Sequence, residues 1–311
     1  MTEGSGRPVV VGVDASPAAL DAARMGWALA QAAGATCRLV HATPEAWTVP
    51  TVPHSFAAQP DAVNEATRQA ARAIVLEVLA GNVPDQLVAG LEVRTGRAAA
   101  ALRDAAAVLV AEVVVLGGKH HSVLGRWVVG STAHTLVRSL DLPLLVTAHT
   151  PMPVRQVVAA IDLSDAAAPT IRAAERYAGW FGAALHVLHV VEPLPLVPDA
   201  PLHFNDEEVY RRSLEHLEQH LWPLVKYPRA TTGVTRGPAR EGIAAEVAAR
   251  QAELVVLGSH GKGWVDRVLI GSVTERVLDA PPCSVLIVPV PGPTGHRGTR
   301  ASRTGGHGPV L

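Results

Sequence analysis

A chain of 311 residues with 48% hydrophobic content is long enough for two domains of ordinary size, each with a filled core. A formal net charge of −1 argues against nucleic acid or an anionic membrane as the main partner, and no apolar run approaches the ~20 residues that span a bilayer. Met1 to Arg7 is small and polar and does not read as a signal peptide; Cys37 and Cys283 sit in apolar runs without a CxxC, the pattern of buried free thiols in a reducing cytoplasm.

Residues 9–13, Val-Val-Val-Gly-Val, read as a strand ending at Asp14. Ser16 then suits an N-cap and Pro17 a first helical turn. Leu20, Ala23, Trp27 and Ala30 follow at helical spacing, and Gly34 ends the helix. A strand is expected at 37–41, a proline-rich connection at 44–60 and an amphipathic helix at 62–79. Strands follow at 87–93 and 113–116, with a helix at 98–107 between them. Ser131 opens a last helix, and 144–147 is a last strand. The strands lack alternating polarity, which places them in a parallel sheet covered on both faces.

The pattern then repeats. Val9-Val10-Val11-Gly12-Val13-Asp14 returns as Val157-Val158-Ala159-Ala160-Ile161-Asp162. Thr95-Gly96-Arg97 returns as Arg236-Gly237-Pro238, Val113 to Gly117 as Leu254 to Gly258, and Gly130-Ser131 as Gly271-Ser272. This is a domain duplication with a seam near Pro151-Met152-Pro153: residues 1–150 form one domain and 151–292 a second. Strands in the second half fall at 156–161, 185–190, 231–235, 254–257 and 284–288. Residues 293–311, rich in Gly, Arg, Ser and His, read as a disordered tail.

The segment Gly258-Ser259-His260-Gly261-Lys262-Gly263 leads from a strand towards Gly271-Ser272 and a helix. Glycines let a backbone approach an anion, and a helix start offers unpaired N–H groups with a partial positive charge. The arrangement reads as a phosphate cradle made of main chain. The alternative is a capping box between Ser272 and Glu275, which needs no ligand. It is not a Walker loop, because no Lys-Ser or Lys-Thr follows the last glycine.

The spacing is Gly, two residues, Gly, nine residues, Gly-Ser, and it resembles the ATP-binding signature of the universal stress protein family at Gly258, Gly261, Gly271 and Ser272. The resemblance covers nearly the whole chain, twice. It implies an α/β fold of two tandem open-twisted, parallel five-stranded sheets of order 3-2-1-4-5, with helices on both faces and the halves paired about a pseudo-two-fold through their last strands. It implies ATP, with or without Mg2+, as cofactor. Asp162 and the backbone of Val190 would hold adenosine. Gly258, Gly261, Gly271 and Ser272 would hold ribose and phosphates, with Gly237 near base and ribose; Ser259, His260, Lys262 and Val273 flank the loop and helix start. Asp162 has a second reading, capping the next helix with Ser164 and Asp165, and Lys262 a second reading as a solvated surface lysine. The equivalents in the first half are Asp14, Ala42, Gly117, Gly130 and Ser131.

The first half departs from the signature, because His120 stands where Gly261 stands in the second and Ser122 where Gly263 stands. A non-glycine residue forced to φ > 0 costs about 1–2 kcal/mol, or about five- to thirtyfold in affinity. The imidazole would fill phosphate space, attract phosphate when protonated, or belong to a polar surface cluster with Lys119 and His121. The sequence offers no metal-binding HExxH or Cys/His cluster and no arrangement for rapid phosphoryl transfer. The expected function is that of a cytoplasmic ATP-binding regulatory protein of stress responses. It would act as a homo-oligomer or an intramolecular pseudo-dimer, with a protein partner that the sequence does not identify. The alternatives are a slow ATPase or phosphotransferase, and a nucleotide-independent interaction module.

Overall fold

The computed structural model describes residues 6–45, 60–121, 126–128, 130–148, 153–193, 206–259 and 270–290. The first half runs β1 (Gly6–Gly12), α1 (Pro17–Ala32), β2 (Ala35–Thr43), α2 (Pro60–Leu79), α3 (Asp85–Ala89), β3 (Glu92–Thr95), α4 (Ala98–Val108), β4 (Val113–Gly117), a short hairpin β5 (Lys119–His121) and β6 (Arg126–Val128), α5 (Ser131–Ser139) and β7 (Leu144–Thr147). The second half runs β8 (Gln156–Ile161), α6 (Ala167–Phe181), β9 (Ala184–Val191), α7 (Asp206–His216), β10 (Ala230–Arg236), α8 (Ala239–Arg250), β11 (Leu254–Gly258), α9 (Ser272–Asp279) and β12 (Ser284–Val288).

Each half has the spatial order 3-2-1-4-5, as expected, with β3-β2-β1-β4-β7 in one and β10-β9-β8-β11-β12 in the other. The halves join as one ten-stranded sheet because β12 pairs antiparallel with β7. In that seam Leu286 lies opposite Leu145, Val285 opposite Val146 and Ile287 opposite Leu144. Two edges that would otherwise expose unpaired backbone cover each other.

Successive residues of a strand point to opposite faces. Val9, Val11, Val113, Val115, Leu145 and Leu286 accordingly enter one core layer, beneath α1, α2 and α6. Val10, Val114, Leu144, Val146, Val285 and Ile287 enter the other, beneath α4, α5, α8 and α9. Both layers run through the seam. This is why the strands read as unbroken apolar runs: Val113, Val114 and Val115 are all fully buried.

The strand expected at 87–93 is a correction. Pro84 and Asp85 start the short helix α3, in which Leu87 is buried, Gly90 ends it, and β3 begins only at Glu92. Pro84 fixes φ for a helix entry and Asp85 suits the first turn, and these local preferences outweigh the β propensity of Leu87 and Val88. The hairpin β5–β6, with His120 paired to Trp127, was not anticipated either.

Candidate functional site

In an open parallel sheet the switch point lies where chain order reverses, outside the carboxyl ends of strands 1 and 4. In the second half this is the gap between β8 and β11. A cavity of about 380 Å³ opens there, within the range of small-molecule sites. Ile161 and Asp162 enter it from the end of β8, Val190, Val191 and Glu192 from the end of β9, and Gly258 from the end of β11. Gly271, Ser272 and Val273 enter from the start of α9.

The cavity therefore has two ends. On the β11 side stands the N-terminus of α9, whose N-cap is Gly271 with extended φ and ψ and no side-chain cap. The capping box is not formed. Ser272 is already the first helical residue, the amide of Glu275 donates to the Gly271 carbonyl, and the Glu275 carboxylate pairs with Arg138 at 3.7 Å. Main-chain bonds fix the loop's two roots. Ser259 N–H donates to the Val288 carbonyl, and Gly271 N–H donates to the Ser259 carbonyl. Thr274 Oγ1 donates to the Gly258 carbonyl at 2.8 Å.

Asp162 sits at the middle. Its Oδ1 accepts from Ser164 N–H at 3.1 Å and from Ser164 Oγ at 2.5 Å. The carboxylate thus shapes the turn before α6 and lines the cavity as well. It does not cap α6, whose N-cap is Ala166. His189, almost fully buried, holds the Ile161 carbonyl through Nδ1 at 2.9 Å and steadies the backbone beside Asp162. On the β9 side, Glu192 Oε1 accepts from Ala239 N–H at 3.0 Å and so caps α8 from outside.

Of the residues expected at the second site, Asp162, Val190, Gly258, Gly271, Ser272 and Val273 surround one cavity. Gly237, at φ +131°, makes the turn into α8 just outside the lining. Ser259 is 2% exposed, and its Oγ accepts from Val290 N–H, a structural role beneath the loop. His260, Gly261 and Lys262 lie outside the described residues, as do Gly263 and the tail at 293–311.

The first half carries the same plan in reduced form. Asp14, Ala42, Gly117, Gly130 and Ser131 all line a cavity of about 130 Å³. Asp14 Oδ1 accepts from Ser16 N–H and Oγ, and His41 Nδ1 bonds the Val13 carbonyl at 2.8 Å. A Cβ added at Gly117 would run into the Ala18 carbonyl at the start of α1, so only glycine fits there. The side chain of His120 and all of Ser122 lie outside the described residues.

The helices that open the two clefts are braced against each other. Arg138 of α5 meets Glu275 of α9, and His134 of α5 stands 4.0 Å from Asp279 of α9. Two residues that sequence reasoning passed over also face the second cavity: Glu192, and Ser213 from α7.

Two switch points on one sheet, each with a carboxylate facing a glycine and a helix start, define a duplicated, doubly wound α/β protein with a cleft in each half. Residues 6–148 and 153–289 each match the model of the Universal stress protein family, and the chain belongs to that family. A universal stress protein of Mycolicibacterium smegmatis is 33% identical over 189 residues, which span 57% of this chain and 62% of the relative. One from Thermus aquaticus is 31% identical over 137 residues, 43% of this chain and 98% of the relative. A putative universal stress protein of Pseudomonas aeruginosa has a solved structure with TM-score 0.61 and 18% identity; the match covers 92% of this chain and 94% of that one, and shows a shared fold. Among the described residues no helix is long and apolar enough to cross a membrane.

Proposed function

We propose that this universal stress protein binds ATP in the cleft of its second half and acts as a nucleotide-responsive regulator. The observation that carries the reading is the cavity of about 380 Å³ with Asp162 at its middle and the uncapped N-terminus of α9 at one end. The α9 amides and partial positive charge suit phosphate. Asp162 suits a hydroxyl or amino donor of the nucleoside, because a carboxylate only accepts. The glycine spacing of residues 258–272 supports the same ligand. Occupancy would bias whichever arrangement of the two braced helices binds ATP better, and the partner would read that bias. The first-half cleft, near 130 Å³, is about a third the volume of the second, and we assign the nucleotide to the second half.

Calorimetric titration with ATP tests this. One site per chain is expected. Asp162→Asn removes the charge while keeping an acceptor for Ser164, and weakens binding about tenfold or more, the scale of a hydrogen bond to a charged group. Asp14→Asn leaves binding unchanged. No heat and no shift in melting temperature at millimolar ATP would refute the proposal.

A further inference from the structure

The described part of α7 is a charged surface helix: Glu208 pairs with Arg211 and Arg212, and Arg211 with Glu215. Its inner face is narrow. Val209, Ser213 and Leu217 follow at four-residue spacing, and Leu217 is fully buried in the core. A serine at the middle of such a stripe is unexpected. Ser213 is 7% exposed and lines the second-half cavity with Val209. A hydroxyl on a cavity wall can donate to, or accept from, a ligand held there.

The location selects the part of a ligand it meets. α7 and Glu192 stand on the β9 side of Asp162, and the glycine root and α9 on the β11 side. A ligand that places phosphate at α9 places its other end against α7. The surroundings there are Val209, Val191, Ala239 and Ile243, apolar enough to receive a flat heterocycle. Among the described residues of the first half, none from α2 lines the smaller cavity, and Pro44 occupies the position equivalent to Glu192.

We infer that Ser213 is a specificity-determining contact for the nucleobase, donating to or accepting from a polar atom on its edge. This rests on the ATP reading above and adds a residue that distinguishes a nucleoside triphosphate from a bare polyphosphate.

The test compares the full chain with Ser213→Ala and Ser213→Thr, using ATP and tripolyphosphate as calorimetric probes. Thermal melting without ligand checks that each variant is folded. Ser213→Ala should weaken ATP about three- to tenfold, the range of one neutral hydrogen bond, with tripolyphosphate affinity unchanged. Ser213→Thr, which keeps the hydroxyl, should recover at least half of that loss in logarithmic terms. An ATP affinity for Ser213→Ala within about 1.5-fold of that of the unaltered protein would overturn the contact while leaving the ATP reading intact. Equal loss for both probes would show that Ser213 only supports the fold. Failure of the unaltered protein to bind either probe would overturn the ATP reading itself, and the contact with it.

Discussion

Thr274 offers the sharpest test of how the cleft is held. It is 5% exposed, and its hydroxyl donates to the carbonyl of Gly258, the last residue of β11 and the first glycine of the loop. Thr274→Val keeps the shape and deletes the donor. The net value of such a bond is about 0.5–1.5 kcal/mol, and leaving a shielded carbonyl without its partner raises the cost to about 1–3 kcal/mol. For a chain of this size about 2 °C of melting temperature corresponds to 1 kcal/mol, so the variant should melt roughly 2–6 °C lower. The same bond fixes where β11 hands over to the loop and where α9 begins. A looser root should therefore raise the ATP dissociation constant several-fold. The first half provides the control, because Ala133 stands at the equivalent place and has no hydroxyl to lose. Scanning calorimetry and titration on one preparation give both numbers. An unchanged melting temperature together with unchanged affinity would refute the reasoning that this hydroxyl ties strand, loop and helix together.

Val110 adopts φ +50°, left-handed backbone that strains a β-branched side chain, and it is 58% exposed. Val110→Gly should raise the melting temperature by about 1–2 °C, since relief of roughly 1–2 kcal/mol exceeds the entropy that glycine adds to the unfolded chain; a lower melting temperature would contradict the strain. His186 is buried, with Nδ1 against Thr231 Oγ1 at 2.8 Å, and its pKa is pushed down to about 4 by burial first and by Arg250 second. The folded state thus favours the neutral ring, so this contribution to stability is full above pH 6.5 and is lost as pH falls towards 4. Melting curves across that window should show the decline, and His186→Gln should flatten it. Gly117→Ala should destabilise the first half by about 1–3 kcal/mol, because the new methyl meets the Ala18 carbonyl; a neutral effect would show that α1 yields freely there.

Much of the fold was legible because the repeat could be checked against itself. Unbroken Val-Val-Val-Leu runs mark strands buried on both faces, and the two copies of strand, Asp and Gly-Ser fix the switch points. The seam came from the resemblance, which pairs the halves through their last strands, and not from those strands themselves, one ending in Thr147 and the other beginning with Ser284. Residues 87–93 misled because Leu87 and Val88 suit either a strand or a one-turn helix, and Pro84 with Asp85 decides between them. The site was legible where backbone carries it, at Gly258, Gly271 and Gly117. It was not legible where tertiary geometry decides. Asp162 and Asp14 head near-identical turns, yet the cavities beside them differ, about 380 Å³ against about 130 Å³. Ser213 was missed because a lone serine on a charged helix carries no local signature, and only its burial against a cavity gives it meaning.

The central claim is that one half of the duplicated sheet holds a nucleotide and the other does not. Native mass spectrometry of the full chain in saturating ATP reads this as a ligand count per chain. The account predicts one ATP, lost in Asp162→Asn and kept in Asp14→Asn. Two ATP per chain, or one that survives Asp162→Asn and disappears in Asp14→Asn, would contradict it.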